Sequence, residues 1–125
     1  MPHVLPQNEI LERLSQELPK WRLVAGRLER HYRTAGWKST LLAAGAIAHL
    51  AELAWHHPAL ELEFSSLVVK LHTHDANGIT ERDFALAEKI ESTLCWRPGA
   101  SSSGTDSALE GTPDDPRWRY LIDEK

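Results

Sequence analysis

Apolar and polar positions along the first third of the chain change from helical spacing to strand spacing. Between Glu9 and Leu18 the apolar residues recur every three or four positions, which predicts a short helix with Asn8 as a candidate N-cap. From Trp21 to Thr34 apolar and polar residues alternate instead. A break near Ala25-Gly26-Arg27 divides this stretch, so it predicts two strands joined by a turn.

A longer helix is predicted next, capped by Ser39 or Thr40 and running to about Trp55. It cannot extend far beyond, because His57 precedes Pro58 and a residue before proline disfavours helical geometry. Its predicted apolar stripe consists of Leu42, Ala43, Ala46, Ile47, Leu50 and Ala54.

The middle of the chain alternates again, over Leu60 to Phe64 and Leu67 to Thr73, and predicts a hairpin turning at Ser65-Ser66. Thr80 then caps a third helix, with Asp83 completing a capping box. Its predicted apolar face is Phe84, Ala87, Ile90 and Leu94. The order α-β-β-α-β-β-α indicates the α+β class: a four-stranded antiparallel sheet with helices packed on one face.

With 125 residues the chain has room for one domain, which we place at residues 1–96. Residues 97–125 are expected to form a flexible linker and C-terminal tail, because Pro98 to Ser107 is a low-complexity run of turn residues. Trp118, Tyr120 and Ile122 alternate near the end, which is consistent with a short docked edge strand; a disordered tail stays equally open.

Composition narrows the function classes. The net charge of -4 and the absence of a basic stripe argue against direct binding to nucleic acid. A single cysteine, Cys95, excludes an intrachain disulfide and favours a reducing compartment. We see no signal peptide and no apolar run long enough to cross a membrane, so a cytoplasmic location is expected.

Candidate chemistry is concentrated between Glu52 and Asp83, a segment that holds four of the seven histidines: His56, His57, His72 and His74. Glu52 precedes His56 by four residues, so in a helix the two side chains would share a face and could hydrogen-bond. A helix end beside a strand end could bring His56, His57 and His74 around one cleft. Such a group of imidazoles suits general acid/base catalysis.

Ordinary structural explanations compete with this one. His56 and His57 could simply cap a helix C-terminus, and Asp83 could serve only to start the third helix. His72 could be a solvated strand residue. A zinc site built from the four histidines is disfavoured, because the spacing forms no HExxH pair and there is no CxxC, so no metal is predicted.

The spacing Glu52, His56-His57-Pro58, Phe64, Thr73-His74-Asp75 and Asp83 resembles the signature of the pterin-4a-carbinolamine dehydratases, also called 4a-hydroxytetrahydrobiopterin dehydratases. The resemblance covers about residues 11–94. It implies the same α+β fold in homodimers or homotetramers, and a pterin substrate that loses water from C4a to give the quinonoid dihydropterin. It implies no metal and no organic cofactor.

The resemblance also implies roles for individual residues. His56 and His74 would be the acid/base pair, and His57 would complete the catalytic set by binding and shaping the pterin. Seven further positions are implied to contact or orient the substrate: Glu52, Trp55, Pro58, Phe64, Thr73, Asp75 and Asp83. Among them Glu52 would orient His56 or bond the pterin ring, and Asp83 would hold the loop that carries His74.

Two departures from well-known animal members keep an alternative open. Trp55 stands where those members have an acid, and Leu60 where they have a tryptophan. The family is also known to include non-catalytic relatives, among them dimerisation partners of transcription factors and Rubisco assembly factors of carboxysomes. The alternative function is therefore a protein-binding module whose client would be Rubisco or a hydroxylase.

Overall fold

A computed structural model describes residues 3–97, 109 and 120–122 of the chain. Its helices and strands confirm the predicted order. They are α1 (Gln7–Glu17), β1 (Arg22–Val24), β2 (Arg27–Arg33), α2 (Trp37–Ala54), β3 (Ala59–Glu63), β4 (Ser66–Leu71) and α3 (Glu81–Leu94), with a single 3-10 turn at His74–Ala76 between β4 and α3.

The four strands form one antiparallel sheet in the order β1-β2-β4-β3. Tyr32 of β2 and Leu62 of β3 both pair with Leu67 of β4, so all three side chains point to one face. That face is buried, whereas the opposite face carries charged residues such as Glu61 and Lys70. The two predicted faces of the sheet are therefore confirmed.

The N-cap of α2 lies three residues before Ser39 and four before Thr40, the two predicted caps. Gly36 is the N-cap, at a φ of 155° that favours glycine, and α2 begins at Trp37. Thr40 is instead a buried residue inside the helix, and its hydroxyl lies 2.7 Å from that of Thr34. The N-cap of α1 also differs from the prediction. Pro6 occupies it instead of Asn8, and no side chain caps the helix.

The buried stripe of α2 differs from the predicted one. Ala44 and Ala51 are buried, whereas Leu42, predicted to face the core, is 58% exposed. A helix that is apolar on nearly every side gives a weak periodic signal, which explains the shift. As a consequence α2 keeps a second apolar face, formed by Leu41, Leu42 and Leu53, in contact with solvent.

The C-terminal segment returns to the domain at Tyr120–Ile122. The amide of Ala35 donates to the carbonyl of Tyr120 (2.9 Å), and the amide of Ile122 donates to the carbonyl of Arg33 (2.7 Å). Leu121 is 1% exposed and belongs to the core. Leu121 forms an antiparallel bridge with Thr34, and Tyr120 is partly buried against the same core, so the described end of the chain docks on the domain. Trp118 and residues 98–107 lie outside the described residues.

Candidate active site

The end of α2 decides where the two adjacent histidines point. Trp55 adopts left-handed geometry (φ 49°, ψ 49°) and ends the helix. His56 is therefore no longer helical, although its amide still donates to the carbonyl of Ala51 at 3.1 Å. A non-glycine residue in this conformation is strained, and such strain is concentrated at functional sites.

His56 does not pair with Glu52 as predicted, because the helix ends before it. Its Nε2 lies 2.7 Å from Oδ1 of Asp83, at the first turn of α3. Glu52 pairs instead with the next residue, since its Oε2 lies 2.7 Å from Nε2 of His57. That pair is exposed, and the ring of Trp55 meets the ring of His57 edge-on at 4.9 Å.

Asp83 joins three parts of the chain although it is fully buried. Its Oδ1 accepts from His56, and its Oδ2 accepts from the hydroxyl of Thr73 (2.7 Å) and the amide of Thr80 (2.9 Å). The hydroxyls of Thr73 and Thr80 are also hydrogen-bonded to each other at 2.7 Å. The capping box predicted from the sequence is confirmed, but its carboxylate also binds a histidine 27 positions away.

This contact fixes the chemistry of the His56 ring. An ionised carboxylate only accepts, so Nε2 of His56 carries the hydrogen and Nδ1 is left to take up or release a proton. The side chain of His56 is 12% exposed, so it reaches the protein surface only at an edge. A buried carboxylate behind an imidazole orients the ring, as in acid/base triads.

The loop after β4 carries His74. Thr73 and Gly78 form an antiparallel bridge that closes the loop, and the hydroxyl of Thr73 ties it to Asp83. His74 is exposed, and its ring centroid lies 6.0 Å from that of His72. Asp75 is exposed as well, 3.8 Å from Arg82. Asp83 thus binds His56 directly and holds the residue adjacent to His74.

A cavity of about 640 Å³ opens beside His56, between the end of α2 and the outer surface of α3. This volume is within the range typical of small-molecule sites. Its wall is mainly apolar, formed by residues such as Leu50, Leu53 and Leu86, and Trp55 stands at its edge. Two cations, Arg82 and Lys89, also line it.

Arg82 and Lys89 were not singled out in the sequence. Both lie on the face of α3 opposite its buried residues. They are seven positions apart, about two helical turns, and this spacing was the one signal in the sequence that could have placed them on the same face.

Of the ten predicted site residues, Trp55 and His56 line this cavity within one chain and the other eight do not. His57 and His74 lie outside its lining, and Phe64 lies at the other end of α2. Phe64 occupies the β3–β4 turn together with Ser65, one residue before the predicted turn, and its ring lies close to Gly36. Because α2 has 18 residues, about 27 Å separates that end from Trp55. Pro58 is half-buried just before β3.

The described residues contain no group of three or more side chains that could hold a metal ion. In that same part of the chain, no helix is long and apolar enough to cross a membrane.

Comparison with known proteins identifies the family of the chain. The family model for pterin 4 alpha carbinolamine dehydratase matches residues 3–93. The chain belongs to this family. A protein of Aquifex aeolicus provisionally named pterin-4-alpha-carbinolamine dehydratase is 42% identical over 91 residues, which cover 73% of this chain and 91% of that protein. A relative from Acidobacterium capsulatum with the same provisional name is 41% identical over 72% of this chain and 97% of its own length.

Two solved structures of the dehydratase fold are similar as well. The crystal structure of a transcriptional coactivator/pterin dehydratase from Brucella melitensis has a TM-score of 0.66 and 28% identity, and covers 72% of this chain and 97% of that one. A pterin dehydratase-like protein identified as a RuBisCO assembly factor in the alpha-carboxysome has a TM-score of 0.51. At 18% identity over 58% of this chain and 87% of that one, it shows the shared fold alone.

Proposed function

We propose that this member of the family dehydrates a 4a-hydroxytetrahydropterin by histidine acid/base catalysis. The observation that supports it is the hydrogen bond between His56 and the buried carboxylate of Asp83 at the edge of a cavity. A site built only to cap α3 would need Thr80 and Asp83, but no imidazole.

The reaction is an elimination that removes one water molecule. The C4a–oxygen bond breaks as the hydroxyl accepts a proton, N5 loses its proton, and a C4a–N5 double bond forms. One imidazole donates to the leaving oxygen and a second, or water, accepts from N5. Each positioned proton transfer is typically worth roughly 10²- to 10⁴-fold in rate.

The residues have different roles in this mechanism. His56, held by Asp83, and His74, on the loop that Asp83 secures, are the acid/base pair. His57 binds the pterin, and Glu52 positions His57 rather than His56. Asp83 does not touch the substrate and acts through His56, so it is a positioning residue.

Trp55 and the apolar wall of the cavity supply a flat surface for the bicyclic ring. Phe64 would contribute to a site only through another copy of the chain, because it lies at the far end of α2.

Stopped-flow measurement of 4a-hydroxytetrahydropterin dehydration tests this function. The wild-type chain is expected to exceed the uncatalysed rate by at least the factor of one positioned proton transfer, roughly 10²-fold, and His56→Ala and His74→Ala are each expected to lose most of that gain. His31→Ala, which removes an exposed histidine of β2 away from α2, is the matched control and should keep the wild-type rate. A wild-type rate equal to that of His56→Ala would refute the proposal.

The exposed apolar face of α2 supports association of copies, as a homodimer or homotetramer. Leu53 is 73% exposed in a single chain, and Leu41 and Leu42 are exposed on the same helix about three turns earlier. Exposed apolar patches of this kind mark interaction surfaces. Light scattering should give a mass of two or four chains, and Leu53→Lys should lower it; a wild-type mass of one chain would contradict the association.

A second candidate function is a protein-binding module with Rubisco or a hydroxylase as client. The observation that favours it is Trp55, which is 77% exposed and held in a strained conformation. Aromatic side chains presented in this way are typical anchors of protein interfaces. Trp55→Ala separates the two functions: loss of client binding with an unchanged dehydration rate favours the module, and loss of rate favours the enzyme.

A further inference from the structure

We propose that a second cavity, between Arg27 and His72, binds the anionic end of a small molecule that carries a carboxylate or phosphate on an apolar body. The cavity has a volume of about 420 Å³ and shares no lining residue with the one beside His56. It lies where the N-terminal arm, the β1–β2 turn and the loop before α3 meet.

The sheet register places the two principal polar groups side by side. Leu28 of β2 pairs with Leu71, the last residue of β4, so Arg27 at the start of β2 and His72 just after β4 lie at the same end of the sheet. Both residues line the cavity. An arginine beside an imidazole is a common means of recognising carboxylates and phosphates.

Two other cations of the sheet are held in ion pairs, whereas Arg27 is not in the part of the chain that the structure describes. Lys70 is paired with Glu61 at 2.8 Å, and Arg30 with Glu91 at 2.9 Å. Within residues 3–97, 109 and 120–122, Arg27 makes no ion pair and the His72 ring makes no hydrogen bond. None of the described residues that line the cavity carries a carboxylate, so none of them neutralises the positive charge of Arg27.

The remaining wall explains why the ligand needs an apolar body. Leu5, Ile10 and Ile79 lie in the wall and are nearly fully buried, so they offer a hydrophobic floor. The side-chain amides of Gln7 and Asn77 add hydrogen-bonding groups at the rim. A small pocket with an apolar floor and a few convergent polar groups is the usual form of a binding site.

The cavity is preformed by backbone contacts. The amide of Leu5 donates to the carbonyl of Ile79 at 2.8 Å, which fixes the N-terminal arm against the loop. Gly78 permits this approach, since a Cβ at that position would lie 2.7 Å from Cγ1 of Val4. The ligand therefore does not have to organise its own site, which lowers the cost of binding.

A ligand in this cavity would also contact the loop that carries His74. Asn77 and Gly78 belong to that loop, and the ring of His72 meets that of His74 edge-on at 6.0 Å. Binding should therefore be visible at His74 as well as at His72.

Nuclear magnetic resonance titration of the full chain tests the site with three probes: benzoate, its neutral analogue benzamide, and inorganic phosphate. Benzoate should give saturable shifts at the His72 ring and at the Asn77 and Gly78 amides, with benzamide at least about tenfold weaker. Phosphate should bind at the same residues more weakly than benzoate, because it lacks the apolar body. Equal affinity for benzoate and benzamide, or phosphate binding as tight as benzoate, would overturn the proposal.

Arg27→Gln is expected to weaken benzoate binding at least about tenfold. Arg27→Lys should weaken it less, because lysine keeps the positive charge but cannot donate two parallel hydrogen bonds to the carboxylate as a guanidinium does. Arg22→Gln is the matched control: it removes the same charge from the neighbouring strand β1, where Arg22 lines a different cavity. An equal loss in both glutamine variants, or no saturable shift in the wild type, would overturn the site. The benzoate–benzamide comparison decides the question even where Arg27→Gln does not fold.

Discussion

Two carboxylates of α3, Asp83 and Glu91, are both central to hydrogen-bond networks, yet their partners differ in kind. Glu91 accepts from Trp21 (2.8 Å), Tyr32 (2.8 Å) and Arg30 (2.9 and 3.0 Å). Of these donors, Arg30 is permanently charged and the other two stay protonated at neutral pH. Asp83 accepts from two threonine groups and from the imidazole of His56.

The two networks also differ in where they lie: one is internal to the fold and the other ends at a cavity. Arg30 is 3% exposed and its guanidinium lies over the ring of Tyr32, so the Glu91 network fastens α3 to the sheet. The Asp83 network ends at His56, which lines a cavity. A buried carboxylate is therefore not by itself a sign of function; the decisive feature is a titratable partner with access to a ligand.

Asp83→Asn should produce the largest effect. The asparagine can still accept from Thr73 and Thr80, but its amide group would donate to Nε2 of His56 and impose the opposite tautomer. The dehydration rate should fall roughly 10²- to 10⁴-fold. Stopped-flow rates on samples of equal folded fraction would measure this, and a change of less than twofold would contradict it.

Glu91→Gln should act on stability instead. The buried guanidinium of Arg30 would lose the carboxylate it pairs with at 2.9 Å, and removing one partner of a buried ion pair typically costs roughly 3 to 5 kcal/mol. Urea unfolding at pH 7 would measure the loss, and the dehydration rate per folded molecule should stay at the wild-type value. An unchanged midpoint, or a rate loss as large as that of Asp83→Asn, would erase the distinction between the networks.

Acid should remove the stability contributed by Glu91. Arg30, Tyr32 and Trp21 outweigh the desolvation of this carboxylate and lower its pKa from 4.5 to about 2. Because the pKa is lower in the folded state, the contribution is complete above pH 4.5 and is lost as the pH falls towards 2. Its size is on the order of 3 kcal/mol.

Urea unfolding between pH 2 and 7 should show this slope in the wild type, and Glu91→Gln should lack the part that comes from position 91. An identical pH dependence in both chains would show that Glu91 makes no such contribution.

Removing one hydrogen bond from each carboxylate compares the two networks with the smallest change to the protein. Thr73→Val removes one donor from Asp83, and Tyr32→Phe removes one donor from Glu91. Each should destabilise the chain by roughly 1 to 3 kcal/mol, because the acceptor is charged. Only Thr73→Val should also slow dehydration, by about tenfold, because Asp83 then holds His56 and the His74 loop less firmly. Equal rates in the two variants would count against this division.

The sequence predicted what short-range rules encode. Thr80 and Asp83 are three positions apart, and the capping box is a local arrangement that needs no knowledge of the fold. Strand alternation likewise placed Tyr32 and Leu67 in the core. The pairing of Glu52 with His56 failed because it assumed a helix that the left-handed Trp55 interrupts, and no simple rule predicts that conformation for tryptophan.

Contacts between distant residues could not be predicted in this way. The bond from His56 to Asp83 spans 27 positions, and those from Trp21, Arg30 and Tyr32 to Glu91 span 59 to 70. Periodicity says which face of an element a residue occupies, but not which residue of another element it meets. The resemblance to a family supplied Asp83 as a site residue, but as the holder of a loop rather than as the partner of His56.

The most direct test of the central claim is the ratio of two single-turnover dehydration rates, Glu91→Gln over Asp83→Asn, on samples matched for folded fraction. If His56 transfers a proton under the control of Asp83 while Glu91 only holds α3 to the sheet, the ratio should be at least about 10². A ratio near one would mean that the two carboxylates serve the fold alike and that His56 takes no part in the chemistry.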